Sequence, residues 1–158
     1  MVAATKRRLG KNANILCLDL AEKLPFADGS FDLIISSLVL HYLKDWNKVF
    51  SEFNRILKPN GKILFSIHHP FMDIKLSQNI DYFATGLIVD QWERAGKLIE
   101  VPFYRRPLHV IINETSTFFN IEKVIEPQPT KTFKLKKPEK YETLMTNPHF
   151  LIIKGSKR

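Results

Sequence analysis

Three short apolar runs and one amphipathic helix, held in fixed order between Ile15 and Pro70, restrict this chain more than any other feature. The stretch reads ILCLDLAEKLPFADGSFDLIISSLVLHYLKDWNKVFSEFNRILKPNGKILFSIHHP. Ile15 to Leu18, Phe31 to Ile35 and Ile63 to Ile67 are nearly continuous in Ile, Leu and Phe rather than alternating. That is the pattern of strands buried on both faces, and its natural host is a parallel sheet covered by helices. Between the second and third runs, Asp45 offers an N-cap carboxylate, and Trp46, Val49, Phe50, Phe53, Ile56 and Leu57 fall on one helical face. Lys58, Pro59, Asn60 and Gly61 end that helix, because proline blocks continuation and Asn or Gly takes the left-handed turn. Strand, helix, strand is a right-handed crossover. In an open parallel sheet ligands bind beyond the carboxyl ends of the strands, which places Asp19, Ser36, Ser37 and His68 on one rim.

The residues between these elements carry a resemblance. DLAEKLPFADGSFDLIISSLVLHYL, followed by a helix and LKPNGKILFS, resembles the class I S-adenosylmethionine-dependent methyltransferases, in the subgroup acting on small molecules. The resemblance implies an α/β Rossmann-like methyltransferase sheet, mostly parallel with an antiparallel last strand. It implies that Asp19, ending the family's third strand, accepts a hydrogen bond from the adenine amino group, and that the Leu20 N–H meets adenine N1. A carboxylate is acceptor only, so the residue type suits that edge; taken alone, Asp19 also reads as a strand-end turn former. Pro25 and Phe26 pin the loop, Asp28 and Gly29 make a turn, and Asp32 opens the next strand. Ser36 to His41 corresponds to the segment passing the methionine part of the cofactor, with His41 facing the site.

Composition narrows the class. The 158 residues suffice for one domain with a core, and no apolar run is long enough to span a membrane. The chain is read as a soluble cytoplasmic protein without a secretory signal. The single cysteine, Cys17, sits in an apolar run and is expected to be inert core, with neither an intramolecular disulfide nor a metal site. A net charge of +8 permits contact with nucleic acid. The densest basic run, TKTFKLKKPEK, carries few stacking groups, so a solvated loop is preferred to an RNA contact.

Met1 to Leu9 has helical composition with a cationic last turn and a stop at Gly10. The family's glycine-rich loop and the acidic end of its second strand, which hold the cofactor, have no counterpart in this sequence. The resemblance thus implies a single partial, N-terminally truncated methyltransferase domain over 1–158, lacking the first two strands. Those strands lie mid-sheet, between the third and fourth, so the gap amounts to roughly three strand spacings of about 4.8 Å. Three outcomes are open: a remnant, completion by a partner chain or a homo-oligomer, or direct meeting of the third and fourth strands across the short connector from Leu20 to Ser30.

His68, His69, Pro70, Phe71, Met72 and Asp73 follow the third apolar run, where the family places residues near the transferring methyl group. His68 or His69 is a candidate base or acceptor-orienting group; the bland reading is that one closes the strand. Adjacent histidines on extended backbone point apart, which argues against a metal pair. Residues 71–106 read as a lid over the acceptor site, containing a hairpin of Leu87 to Trp92 and Leu98 to Tyr104 around Arg94, Ala95 and Gly96. Tyr82, Phe83, Trp92, Phe103 and Tyr104 are candidates to line its pocket, and Arg105 and Arg106 could clamp an anion. A helix follows from Pro107, with Asn120 in place of the family's terminal glycine, then strands over Ile121 to Ile125 and Phe150 to Ile153, expected to pair antiparallel at the sheet edge. Glu126 to Pro129 returns to the rim. The implied function is methyl transfer from S-adenosylmethionine to a small-molecule acceptor; the alternative is a non-catalytic module that keeps the fold without cofactor.

Overall fold

The computed structural model describes residues 2–76 and 81–158. The chain runs α1 (Val2–Leu9), β1 (Phe31–Ser37), α2 (Trp46–Ile56), β2 (Leu57–His68), α3 (Pro70–Leu76), β3 (Gly86–Arg94), β4 (Lys97–Arg105), α4 (Leu108–Phe118), β5 (Phe119–Ile125), α5 (Lys131–Lys136), α6 (Pro138–Thr146) and β6 (Phe150–Lys157). Single 3-10 turns lie at Gly10–Asn12 and Leu40–Tyr42.

Helix α2 forms where the apolar spacing places it. Asp45 caps it by accepting from the Asn47 N–H at 3.0 Å. Trp46, Val49, Phe50, Phe53 and Ile56 are all buried. At the far end Leu57 already has extended dihedrals and Asn60 takes the left-handed region at φ 64°. The chain then continues directly into β2, which pairs parallel with β1 and so completes the expected crossover.

The four-stranded sheet has the order β1-β2-β6-β5. Strand β6 is antiparallel to both neighbours, and β5 lies at the edge as expected, so the sheet is mixed, with one parallel pair and two antiparallel ones. One face is dry. Ile63, Phe65 and Ile67 of β2 and Leu151 and Ile153 of β6 pack there against α2 and α4. Phe50 is at the centre, with ring centroids 5.7 Å from Phe65 and 5.5 Å from Phe119. The Asn54 side chain donates to the Phe118 carbonyl at 2.7 Å and ties α2 to the end of α4.

The connector from Leu20 to Ser30 is stapled from α2. Arg55 donates to the carbonyls of Phe26 (2.8 Å) and Leu24 (3.2 Å) and to the Asp28 carboxylate (2.6 Å). Glu52 accepts from the Leu24 N–H at 2.8 Å. Leu24 is thereby set into the core, and Gly29 makes the turn at φ +62°.

Five expectations need correction. Ile15 to Leu18 is not a strand: it is unpaired, and Leu16 and Leu18 are 47% and 40% exposed. An apolar run supplies side chains but not a neighbouring edge, and without ladder partners it stays irregular. Cys17 is accordingly exposed, not core. Strand β1 is buried on one face only, with Ile34 and Ser36 turned inward while Leu33 and Ile35 are 49% and 65% exposed. Asn120 does not enter the left-handed region; α4 passes straight into β5 through extended Phe119. The basic segment from Lys131 is likewise helical, as α5 and α6, though solvated as expected. The hairpin is present as β3 and β4, turning at Ala95 and Gly96 with φ of 50° and 73°. Residues 77–80 of the expected lid, and Met1 of the first helix, lie outside the described residues. Among the described residues no helix is long and apolar enough to cross a membrane.

Phe50→Ala removes the aromatic at the centre of the core and is expected to lower the unfolding free energy by about 3–5 kcal/mol. Asp45→Ala removes one cap and is expected to cost about 1 kcal/mol. Urea denaturation followed by tryptophan fluorescence measures both.

Candidate functional site

Strands β1 and β2 end side by side, Ser37 opposite Ser66. Beyond β1, Leu38 adopts the left-handed region at φ 54°, which a branched side chain enters only against steric cost. Its N–H is held by both Ser66 oxygens, the carbonyl at 3.0 Å and Oγ at 3.2 Å. Strain retained by neighbouring bonds is characteristic of functional turns. The chain then reverses into the 3-10 turn, whose Leu40 carbonyl accepts from the Trp46 indole at 2.8 Å.

That turn inserts His41 beneath the rim. Its ring stacks on His68 with centroids 4.1 Å apart and planes 18° from parallel, and Phe103 meets both rings edge-on. His41 is 2% exposed, and among the described residues neither ring nitrogen has a hydrogen-bond partner. Burial, then the charges of His68 and Arg106, push its pKa down to about 3. Burial and His149 lower that of His68, while Asp90 opposes them. Two neutral imidazoles therefore stack at the ends of β1 and β2 at neutral pH.

A cavity of about 460 Å³ opens beside His68, lined by Leu38, Asp73, Asp90, Trp92 and His149 among others. Asp73, on α3, is 4% exposed; its Oδ1 lies 3.7 Å from His68 Nδ1, too far for a hydrogen bond. Burial raises its pKa to about 7, with Arg105 pulling the other way. On the opposite side of β1 a second groove of about 340 Å³ is lined by Leu20, Ser36, Ser37 and Val39 with apolar side chains beneath. The Ser36 hydroxyl is buried without a partner among the described residues. Asp19, just before Leu20, is exposed, and one of its oxygens accepts from the Ala21 N–H at 2.9 Å. That bond is the turn-forming role the residue type allows, and it leaves the second oxygen facing solvent.

The two adjacent histidines separate in role. His69 Nδ1 accepts from the Phe71 N–H at 3.1 Å, so Nε2 carries the proton toward Glu126 Oε1, 2.7 Å away. Its own N–H donates to the His149 carbonyl at 3.0 Å. His69 thus ties α3 to the segments after β5 and before β6, and His68 alone of the pair faces the cavity.

Of the expected pocket aromatics, only Trp92 lines this cavity. Phe103 is buried against the histidine stack, Tyr82 accepts from the Leu108 N–H at 2.9 Å, and Phe83 is 72% exposed. The arginine clamp is also corrected. Arg106 is buried, donates to the carbonyls of Leu43 (2.8 Å) and Lys44 (2.6 Å) and stacks on Trp46 at 4.6 Å. Arg105 is buried and donates to the Asp81 carbonyl. Both are spent on loop carbonyls. Asp73 entered the reading of the sequence only as part of the stretch after His68, with no role of its own, and His149 did not enter it. The signal for His149 lies in the sheet register, since Phe150 pairs with His68.

Residues 1–65 match the family model described as methyltransferase domain. Over those residues the chain is similar to that methyltransferase family. Sixty residues are 45% identical to uncharacterized protein YafE of Escherichia coli, covering 35% of this chain and 29% of that protein. Sixty-five residues are 37% identical to a malonyl-[acyl-carrier protein] O-methyltransferase of Laribacter hongkongensis, covering 41% of this chain and 22% of that enzyme. An S-adenosylmethionine-dependent methyltransferase of Mesorhizobium loti superposes with TM-score 0.69 at 26% identity, over 98% of this chain and 75% of that one. The matched segment therefore spans less than a third of those two curated relatives. The strained turn at Leu38 and the buried histidine stack stand at the carboxyl ends of the parallel strands, the side on which open α/β sheets bind ligands.

The buried groups titrate in opposite senses. His41 keeps a folded pKa below the ordinary 6.5, so the unfolded chain binds more protons between about 3 and 6.5 and stability falls as pH drops through that window. Asp73 keeps a folded pKa near 7, above the ordinary 3.8, so stability falls as pH rises between them. His41→Phe is expected to lessen the acid-side loss, and Asp73→Asn the loss on raising pH from 4 to 7. Thermal melts of each variant between those pH values read the two slopes.

Proposed function

We propose that this chain transfers the methyl group of S-adenosylmethionine to a small-molecule acceptor at the rim formed by the ends of β1 and β2. The observation that carries the reading is the Leu38 turn: it sets the partnerless Ser36 hydroxyl on one side and the His41–His68 stack on the other. The residues present fit the cofactor's chemistry. The exposed Asp19 carboxylate accepts from an adenine amino group, and the Leu20 N–H, at the start of the apolar groove, donates to the adjoining ring nitrogen. Ser36 offers a buried hydroxyl on the groove side, and His41 supports the segment that flanks the methionine portion.

When bound, S-adenosylmethionine supplies a sulfonium methyl group that needs no protein nucleophile. The chain's share is alignment and dryness. His68, neutral and facing the cavity, takes up the proton of an acceptor O–H or N–H at the imidazole nitrogen that faces it. His69, bonded through both nitrogens, positions α3. The hairpin of β3 and β4 contributes Trp92 to the cavity wall and so acts as the lid over the acceptor.

The open edge of β1 favours a second reading, in which the same chemistry appears only once a further strand, from a partner or a second copy, pairs along β1. Leu33 and Ile35 stand exposed on that edge strand. Calorimetric titration of the purified chain with S-adenosylmethionine tests the first reading, with Asp19→Ala expected to weaken binding by about tenfold or more through loss of a charge-assisted hydrogen bond. Absence of heat at millimolar cofactor overturns it for the chain alone. Absence of heat together with a strictly monomeric elution leaves the fold without the activity.

A further inference from the structure

The cavity beside His68 has a chemistry that selects its occupant. We propose that it binds a small molecule presenting a hydroxyl or amino hydrogen-bond donor, with Asp73 as the residue that recognises the donor, and that it rejects carboxylates. This rests on the methyltransferase reading only in taking the occupant to be the methyl acceptor.

Asp73 Oδ1 is buried, borders the cavity, and has no hydrogen-bond partner among the described residues. A buried carboxylate oxygen left without a donor is a standing cost to the fold, and natural proteins retain few of them. His149 Nδ1, on the same wall, is equally without a partner. The groups facing Asp73 do not supply the missing bond. His68 is 3.7 Å away and Arg105 is turned to the Asp81 carbonyl. Asp90 is already engaged, accepting from the Trp92 indole at 2.6 Å and from the Gln91 N–H at 2.8 Å. Among the described residues, none donates to Asp73 Oδ1.

The surrounding charge sets the second half of the claim. Above pH 7, where Asp73 is ionised, Asp73, Asp90 and Glu93 border the cavity against Arg94, the one cation among its described lining residues, whose guanidinium sits 5.3 Å from the Trp92 ring; Arg105 also acts on Asp73, and the two histidines are held neutral by burial. A carboxylate entering here meets like charge in a partly desolvated space, where the repulsion is screened far less than in water. An acceptor carrying a free carboxylate, such as the malonyl group named for the Laribacter relative, is therefore the wrong shape of charge for this wall. The volume of about 460 Å³ is that of a small-molecule site. Met72, Leu76 and Phe150 give it an apolar floor.

Three probes of one shape separate the terms: 2-phenylethylamine, 2-phenylethanol and phenylacetate, titrated into the full chain without cofactor and followed by proton–nitrogen NMR. The amine and the alcohol are expected to bind about tenfold or more tighter than phenylacetate and to move the Trp92 indole signal. Asp73→Asn, which keeps the shape, is expected to bring the three probes to within about threefold. The proposal is overturned if phenylacetate binds as well as the amine, if none of the three binds at about 10 mM, or if the shifts map elsewhere. It is equally overturned if Asp73→Asn melts normally and keeps the wild-type ranking. Should that variant not fold, the side-chain carboxyl carbon signal of Asp73 decides: if the amine leaves it unmoved, the residue is not the recognition group. Because no cofactor is present, failure of S-adenosylmethionine to bind in its own titration leaves this outcome readable.

Discussion

The packing of α2 across β2 is the contact on which the remaining structure depends. Phe50 and Trp46 meet Phe65 from above, Phe119 closes the other side, and all four rings are essentially without solvent contact. This one layer does several things at once. It fixes the crossover that makes β1 and β2 parallel, it sets the height at which both strands end, and it carries Arg55 and Glu52 out to the connector. Hydrogen bonding from Arg55 holds Glu52 below the usual carboxylate range, so the pair stays charged while it staples the loop. Asp19 and Leu20 hang from that loop. Both residues are thus positioned by α2, through the Arg55 and Glu52 staple and through Leu20 packing against the core.

The same layer explains the rim. Trp46 fills the core with its ring and reaches the Leu40 carbonyl with its indole N–H, so the helix start and the turn after β1 are one unit. Arg106 closes that unit from the other side by binding the carbonyls of Leu43 and Lys44 and lying over the Trp46 ring. Burial lowers the Arg106 pKa, while Glu114, 3.6 Å away, works against that shift. With the loop so constrained, Leu38 remains in its strained conformation and His41 remains under His68. An arginine that the sequence offers as an anion clamp is here a clamp on backbone.

Local signals were legible where the physics is local. The cap at Asp45, the apolar stripe of α2, the left-handed Asn60 and the Ala95–Gly96 hairpin depend on residues a few positions apart, and each forms as its residues dictate. The run from Ile15 to Leu18 misled because a strand is a relation between two segments: composition cannot reveal whether an edge is there to meet it. Cys17 followed it into the wrong environment. At the site, His68 was named from its place after a strand and His41 from the resemblance, whereas the nearness of His149 to His68 follows from β6 pairing with β2, across some eighty residues. Arg105 and Arg106 were misjudged for a related reason: a guanidinium satisfies carbonyls and anions alike, and only the packed loop decides between them.

The sheet itself poses the sharper physical question. On the face away from α2, Leu33 and Ile35 are exposed and Leu64 and Ile152 are half-buried, while β1 presents an unpaired edge beyond them. Proteins blunt such edges with charge, proline or bulges. Here, among the described residues, the only blunting is at the start of β1, where Lys58 bridges to Asp32 at 2.9 Å and the register slips between Phe31 and Leu33. From Leu33 to Ser37 the pairing with β2 is regular and the outer side bears no charge. A regular, apolar and uncharged edge ending at the rim is the surface another strand would find easiest to join, and a strand joined there would run beside the Ser36–Leu38 turn. Completing the sheet and completing the cofactor side of the site would then be the same event, because both are bounded by β1.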